Sequence, residues 1–491
     1  MSRRTTLFRM AVPALAPLIV FLFAGCPLFP GLNGNENTNS AANENTNAAT
    51  NENANTTPAK GNSGLTGKFV GSERCSLCHV NVHTNWSNTL HAGALETLES
   101  IGQGSNSACL ACHTVGFGQE GGYVSRATTD ALAGVGCESC HGPGGDHVSN
   151  IEDASLRPPK NIAASVCSGC HTGEHHPTGE DWALSRHAQI QPSLVEEFHE
   201  GVNASSCGVC HSGDVFVAKL NGETVGADFL AGKTEEEMNP ITCAVCHDPH
   251  MKTNNAATPE DGRDYQLRFP QIKYTTPTNT LEAAQDTTRF NLCGQCHHAR
   301  NRVWTDSSRE PHPSDQVNVF FGEMPLPASK PDPIIPSRPS VHLNAAEQCS
   351  TCHVVRTPFV EGIAPAVSGH TFEVNFDGCV DCHGSAEAAE SKLEGLKAEL
   401  DFRAELLKDA LDEWALANDI DGKGVLSWEY TSEGGPASSG QSKVPDGIKK
   451  ARFIYYYVIA GGGSGAHNPD YVREGLQLAL EYVETAGPRL P

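Results

Sequence analysis

Aromatic residues make up only 7% of this chain, and all hydrophobic residues together only 38%. For 491 residues, enough for two or three domains of ordinary size, that is a thin supply of core material. Something other than side chains is therefore expected to fill part of the interior. Basic residues are scarce as well, 34 Lys and Arg against 58 Asp and Glu, leaving a net charge of −24. Such a surface repels nucleic acid, and a partner steered to it by charge carries a basic patch. Methionine occurs only five times, which limits thioether ligation of any metal. The apolar run near the N-terminus, AVPALAPLIVFLFAG (11–25), is short for a membrane span, which takes about 20 residues.

Cysteine, by contrast, is abundant. There are 19, of which 18 fall in nine copies of CxxCH. The motifs are Cys75, Cys78 and His79; Cys109, Cys112 and His113; Cys137, Cys140 and His141; Cys167, Cys170 and His171; Cys207, Cys210 and His211; Cys243, Cys246 and His247; Cys293, Cys296 and His297; Cys349, Cys352 and His353; and Cys379, Cys382 and His383. A disulfide accounts for the pairs but not for a histidine after every one. Zinc needs four ligands, so two motifs per ion, and nine motifs do not divide that way. Covalent haem c accounts for each element. Two thiols add across the two vinyl groups of one porphyrin, and the adjacent imidazole reaches the iron. Nine haem c groups are expected. They span the 309 residues from Cys75 to His383, about 34 residues per haem. At that density porphyrins themselves form the core, wrapped by short helices and loops with little room for strands.

The N-terminus reads as an export signal: MSRRTTLFRM is basic, the apolar run follows, and FAGC (23–26) resembles a bacterial lipobox with Cys26 lipidated. Residues 31–67 repeat NENTN or NENAN with almost nothing apolar, the composition of a disordered spacer. The expected organisation is a lipoprotein-type signal peptide (1–25), a lipidated Cys26 with an Asn/Thr-rich linker (26–68), a nine-haem domain (69–384) and a C-terminal helical segment (385–491). The location implied is the cell envelope, tethered to a membrane and facing the periplasm or the cell surface.

Thirteen histidines remain outside the motifs, so second axial ligands are available. His91 and His187 end a repeated W-x-x-[ST]-x-H-A, and His147 closes CESCHGPGGDH. His250 closes CAVCHDPH, His370 lies in SGHTF, His342 precedes Cys349, and His467 precedes Asn468-Pro469. With His199 and His312 these are the candidate distal ligands, each expected to serve a haem other than its neighbour's. His83, His175, His176 and His298 read equally well as surface or hydrogen-bonding histidines.

VGSERCSLCH, GVGCESCHGPGGDH, ITCAVCHDPH, LCGQCHHARN, EPHPSDQ, SGHTF and GAHNPDY together resemble the multihaem cytochromes c. The superfamily in question contains the nitrifier tetrahaem cytochromes, hydroxylamine oxidoreductase and the multihaem nitrite reductases. The resemblance covers about 69–383 and implies a mainly α body with much irregular loop, organised around stacked haems. It implies an electron carrier with envelope redox partners, or an oxidoreductase of small nitrogen or sulfur oxyanions with one open haem. The CxxCK motif usual in pentahaem nitrite reductases is absent. In the enzyme reading His312, Arg300 and Gln316 are the candidate substrate groups, although His312 reads more simply as another distal ligand.

Beyond His383 the chain turns helical. Leu393, Leu396, Leu400, Leu407, Leu411 and Trp414 recur at helical spacing, as do Val472, Leu476, Leu480 and Val483. These helices either join copies of the chain, as in catalytic members of the resembled group, or pack on their own haem body.

Overall fold

The computed structural model describes residues 68–252, 265–268, 292–300, 302–324, 333–345, 347–459 and 465–487. The export segment, Cys26 and the spacer through residue 67 lie outside the described residues.

The sequence pattern between 68 and 384 yields single helical turns. In a helix, positions i, i+3 and i+4 share a face, so each CxxCH turn puts both thiols and the imidazole on one side. Helix α1 (Ser72–Ser76) leads into the first motif, and α2 (Cys137–His141) is the third motif itself. Helices end where the motif ends because the chain cannot continue them. After His141 comes Gly142 at φ 76°, and after His383 comes Gly384 at φ 85°. Both are conformations glycine reaches without a Cβ clash. The expected shortage of strands holds: extended pairing among the described residues is confined to isolated bridges such as Thr114↔Ala133 and Thr357↔Val367.

Buried apolar residues in this body form small separate clusters. One gathers Phe69, Leu95, Leu98, Leu110 and Val115; another gathers Leu194, Phe198, Val215 and Leu230. A buried carboxylate ties the first to the third motif. Glu138 accepts from the N–H groups of Val70, Gly71 and Gly144 at 2.7–3.1 Å. Ser72 Oγ accepts from the Cys137 N–H, so α1 and α2 are held side by side.

The C-terminal segment is built differently. Helix α3 (Ala386–Asn418) is capped by Ser385, whose side chain accepts from the Ala388 N–H, and ends at Asp419 in the left-handed region. Helix α4 (Asp446–Ile459) and helix α5 (Pro469–Ala486) pack against each other and against α3. Asn468 caps α5 with Pro469 in its first turn, the arrangement its sequence announces. Leu400, Leu407, Leu411 and Trp414 meet Ile454, Tyr457, Val472 and Leu476 in one continuous core. Ala299, Trp304, Val319, Met324 and Ile335 enter the same core, so these helices pack on their own chain.

Candidate haem sites

We number the motifs as sites 1 to 9 in chain order. A bond from imidazole nitrogen to a metal is about 2 Å, and the ring centre lies about 1.2 Å behind that nitrogen, so two imidazoles sharing one iron have centroids about 6.4 Å apart. Rings packed directly on each other lie closer. Eight of the nine motif histidines face a second imidazole at 6.0–6.5 Å. The pairs are His113–His176, His141–His250, His171–His91, His211–His312, His247–His370, His297–His187, His353–His467 and His383–His342. His171 has His176 at 6.4 Å as well as His91 at 6.0 Å. Only the assignment of His91 to site 4 and His176 to site 2 gives each of these eight motif histidines its own partner.

Hydrogen bonds at the other ring nitrogen orient these imidazoles. Nδ1 of His113, His141, His247 and His353 lies 2.6–2.9 Å from the backbone carbonyls of Ala94, Pro159, Tyr265 and Phe372. On the distal side His342 meets Ala466 O at 3.1 Å, His370 meets Ser368 O at 3.0 Å, and His312 meets Ser314 Oγ at 2.8 Å. A proton held at Nδ1 leaves the Nε2 lone pair free to bind a metal, as metal-bound histidines generally require. Burial favours the neutral form in several of these rings. His171, His187, His211, His247 and His467 are lowered to about 4, and His312 to about 3, with desolvation the leading cause. A neutral imidazole is the ligating form.

The nine distal candidates divide. His91, His187, His250, His312, His342, His370 and His467 stand opposite motif histidines at these distances. His199 is in no such pair among the described residues; its Nδ1 lies 2.8 Å from Lys233 O. His147 is in none either, and its buried Nδ1 has no hydrogen-bond partner. His176, which the sequence left as a possible surface residue, faces His113. Its only signal was a position five residues beyond His171, too generic to single it out. Of the candidate substrate groups, Gln316 hydrogen-bonds His297, and the backbone N–H of Arg300 donates to His298 Nδ1 at 3.2 Å.

The repeated W-x-x-[ST]-x-H-A acquires a structural meaning. Trp86 Nε1 donates to Val135 O at 3.1 Å, and Trp182 Nε1 donates to Ile241 O at 3.0 Å. Each carbonyl lies two residues before a motif, so each tryptophan braces one haem site while the histidine five residues on faces another.

A family model described as cytochrome c554 and c-prime matches residues 74–142. Cytochrome c-554 of Nitrosomonas europaea is 34% identical over 134 residues, 21% of this chain and 57% of that protein. The C-type polyheme cytochrome OmcB of Geobacter sulfurreducens is 26% identical over 212 residues, 39% of this chain and 25% of that one. The chain thus spans little more than half of the first relative and a quarter of the second. Among solved structures, the outer cell wall cytochrome OcwA superposes with a TM-score of 0.55 at 18% identity, covering 84% of this chain and 99% of that one. An undecaheme cytochrome from the S-layer of Carboxydothermus ferrireducens gives 0.53 at 18% identity, covering 86% of this chain and 70% of that one. No described helix is long and apolar enough to cross a membrane. With repeated CxxCH turns that face paired imidazoles, a segment at 74–142 similar to cytochrome c554 and a fold shared with solved multihaem structures, the chain is similar to the multihaem c-type cytochromes, cytochrome c554 among them.

Proposed function

We propose that the protein is an exported, membrane-tethered cytochrome holding nine haem c groups, most of them ligated by two histidines, and that it passes electrons between redox partners of the cell envelope. The observation that carries this reading is the set of imidazole pairs at 6.0–6.5 Å. A pair at that spacing would hold one iron from both sides and would leave no open position there for substrate. Haem so ligated supplies one-electron chemistry at low potential when bound. The chain's part is to hold each imidazole neutral, fixed in rotation and shielded. The names of OmcB, OcwA and the S-layer cytochrome support an envelope location by analogy only.

Site 1 favours keeping a second reading. His79 is exposed and stands opposite no imidazole at this spacing among the described residues. His147 is the ligand within reach of the argument. Its short helix is pinned by the Gly145 N–H to Lys68 O and by the Gly144 N–H to Glu138, the carboxylate that also holds Val70 and Gly71 ahead of site 1. If His147 closes site 1, all nine sites are carriers. If it does not, site 1 is the open position at which a small nitrogen or sulfur oxyanion would react.

Mass spectrometry and low-temperature electron paramagnetic resonance of the oxidised holoprotein test both. The carrier reading expects the mass of nine haems and only low-spin ferric signals. A high-spin signal displaced by nitrite, hydroxylamine or cyanide overturns it in favour of the oxidoreductase.

A further inference from the structure

Sulfurs of different motifs touch, and their contacts order the sites. Cys75 hydrogen-bonds Cys137, linking sites 1 and 3. Cys140 is within electrostatic reach of Cys167 and Cys170, linking sites 3 and 4. Cys112 contacts Cys170, linking 2 and 4, and Cys167 contacts Cys243, linking 4 and 6. Further along, Cys210 contacts Cys296 (5 and 7), Cys293 contacts Cys349 (7 and 8), and Cys352 contacts Cys379 (8 and 9). Each contact sets two porphyrin attachment points side by side. The pattern is a tree with two halves, sites 1, 2, 3, 4 and 6 against sites 5, 7, 8 and 9. Among the described residues one link joins them, from site 6 to site 7, where Cys246 lies within reach of Cys296 and His370 within reach of His187.

Phe372 occupies that link. Its ring centroid is 4.5 Å from His187, edge-on, and 5.5 Å from His370. His187 faces the motif histidine of site 7 and His370 that of site 6. Its carbonyl oxygen accepts from His353 Nδ1, the motif imidazole of site 8, at 2.9 Å. One residue therefore touches axial imidazoles of three sites. It does so at φ 57°, a left-handed conformation that a bulky aromatic adopts only when its surroundings impose it. Strain of that kind at a junction of three sites is the mark of a side chain kept for its position.

We propose that Phe372 is the positioning residue of the crossing between the two halves, packing the distal imidazole of site 6 against that of site 7 and so setting how fast electrons pass between them. This rests on the proposed haem-bearing reading of the sites. The step is a bare electron transfer: one site is oxidised from ferrous to ferric, its neighbour is reduced from ferric to ferrous, and no proton or bond is exchanged. Because tunnelling decays exponentially with the gap, loosening one aromatic contact acts on the rate of this link and on no other.

The test uses the full-length holoprotein with Phe372→Gly, which keeps the backbone conformation without strain, Phe372→Leu, and Phe372→Tyr as the conservative variant. Less than one electron per molecule is delivered by flash reduction with a photoexcited ruthenium polypyridyl complex and a sacrificial amine. Redistribution among the sites is followed by Soret absorbance. Wild type and Phe372→Tyr are expected to equilibrate alike, whereas Phe372→Gly and Phe372→Leu show an added phase at least about tenfold slower. Equilibration of the glycine variant at the wild-type rate, with its haem complement and low-spin spectrum intact, overturns the proposal. Loss of a haem or of a low-spin signal in both the glycine and leucine variants also overturns it, since the ring would then serve only to build the site. A wild-type protein short of haem by mass is a different failure, that of the proposed function.

Discussion

The haem-motif body and the C-terminal helices answer the same shortage of apolar residues in opposite ways. From residue 68 to 384 the buried side chains form small islands, and what recurs throughout is the facing imidazole. From 385 onward Leu407, Leu411, Ile454, Tyr457, Val472 and Leu476 make one uninterrupted core of ordinary kind. The difference teaches that side chains leave the body without one continuous interior of its own, whereas the helices supply theirs. The two are not independent. His467, at the foot of α5, faces His353 at 6.3 Å, and the Ala466 carbonyl meets His342 Nδ1. The apolar half thus supplies the imidazole that faces site 8 and a carbonyl that orients the imidazole facing site 9.

The sharpest break in the comparison comes from withholding haem. Expressed without haem attachment, the segment 69–384 should lose protease resistance and most of its circular dichroism, while α3, α4 and α5 retain helical signal. Equal loss in both regions would mean the helices have no core of their own.

Next in size are substitutions inside that core. Leu407→Ala removes a fully buried side chain and should cost about 2–5 kcal/mol in thermal or denaturant unfolding, with the Soret spectrum unchanged. Arg452 is the polar counterpart. It is fully buried, donating to the carbonyls of Trp428 and Glu429 and to Gln441 Oε1 at 2.8–3.1 Å, with its guanidinium 3.9 Å from the Tyr430 ring centre. Arg452→Leu takes this donor from the Trp428 carbonyl and Gln441 Oε1 while the Glu429 carbonyl keeps the Gln441 amide, a loss on the order of 3 kcal/mol by the same assay.

His467→Ala should change little in stability and convert one site, site 8, from low to high spin by paramagnetic resonance. His199→Ala is the matched control and should leave the spin census untouched. The smallest effect is a pH dependence confined to the helical region. Burial raises the Glu429 carboxyl to about 7, with Tyr456 Oη donating to it at 2.9 Å. The folded state therefore holds this proton more tightly than the unfolded chain does. Its contribution is full below the ordinary carboxylate value of 4.5 and lost as pH rises through about 7. The melting temperature of the helices should fall between about pH 5 and pH 8, and Glu429→Gln should flatten that fall.

Much of the local architecture was legible in residue order. CxxCH is a contact pattern within one helical turn, so a linear string displays it whole. The periodic leucines of α3, the Asn468-Pro469 start of α5 and the scarcity of strands were open to reading for the same reason. The distal side was legible only where a histidine sat in a distinctive context. His91, His187, His250 and His370 did; His176 did not. His199, a candidate with no such context, faces no second imidazole among the described residues. Phe372 carried no signal in SGHTF, because what sets it apart from a neighbour of His370 is its contact with His187, far away in the chain, and with the His353 ring.

By itself the amino-acid order determined how many CxxCH turns there are, which imidazole follows each pair of thiols, and how few ordinary core side chains lie between them. Those properties arise from neighbours within five residues, where backbone geometry leaves few choices. Which second imidazole meets which motif, which sulfurs touch, and where the two halves of the array cross were decided only in the tertiary structure. Each of these joins residues tens to more than a hundred positions apart, and their meeting depends on how the short helices pack rather than on any local preference.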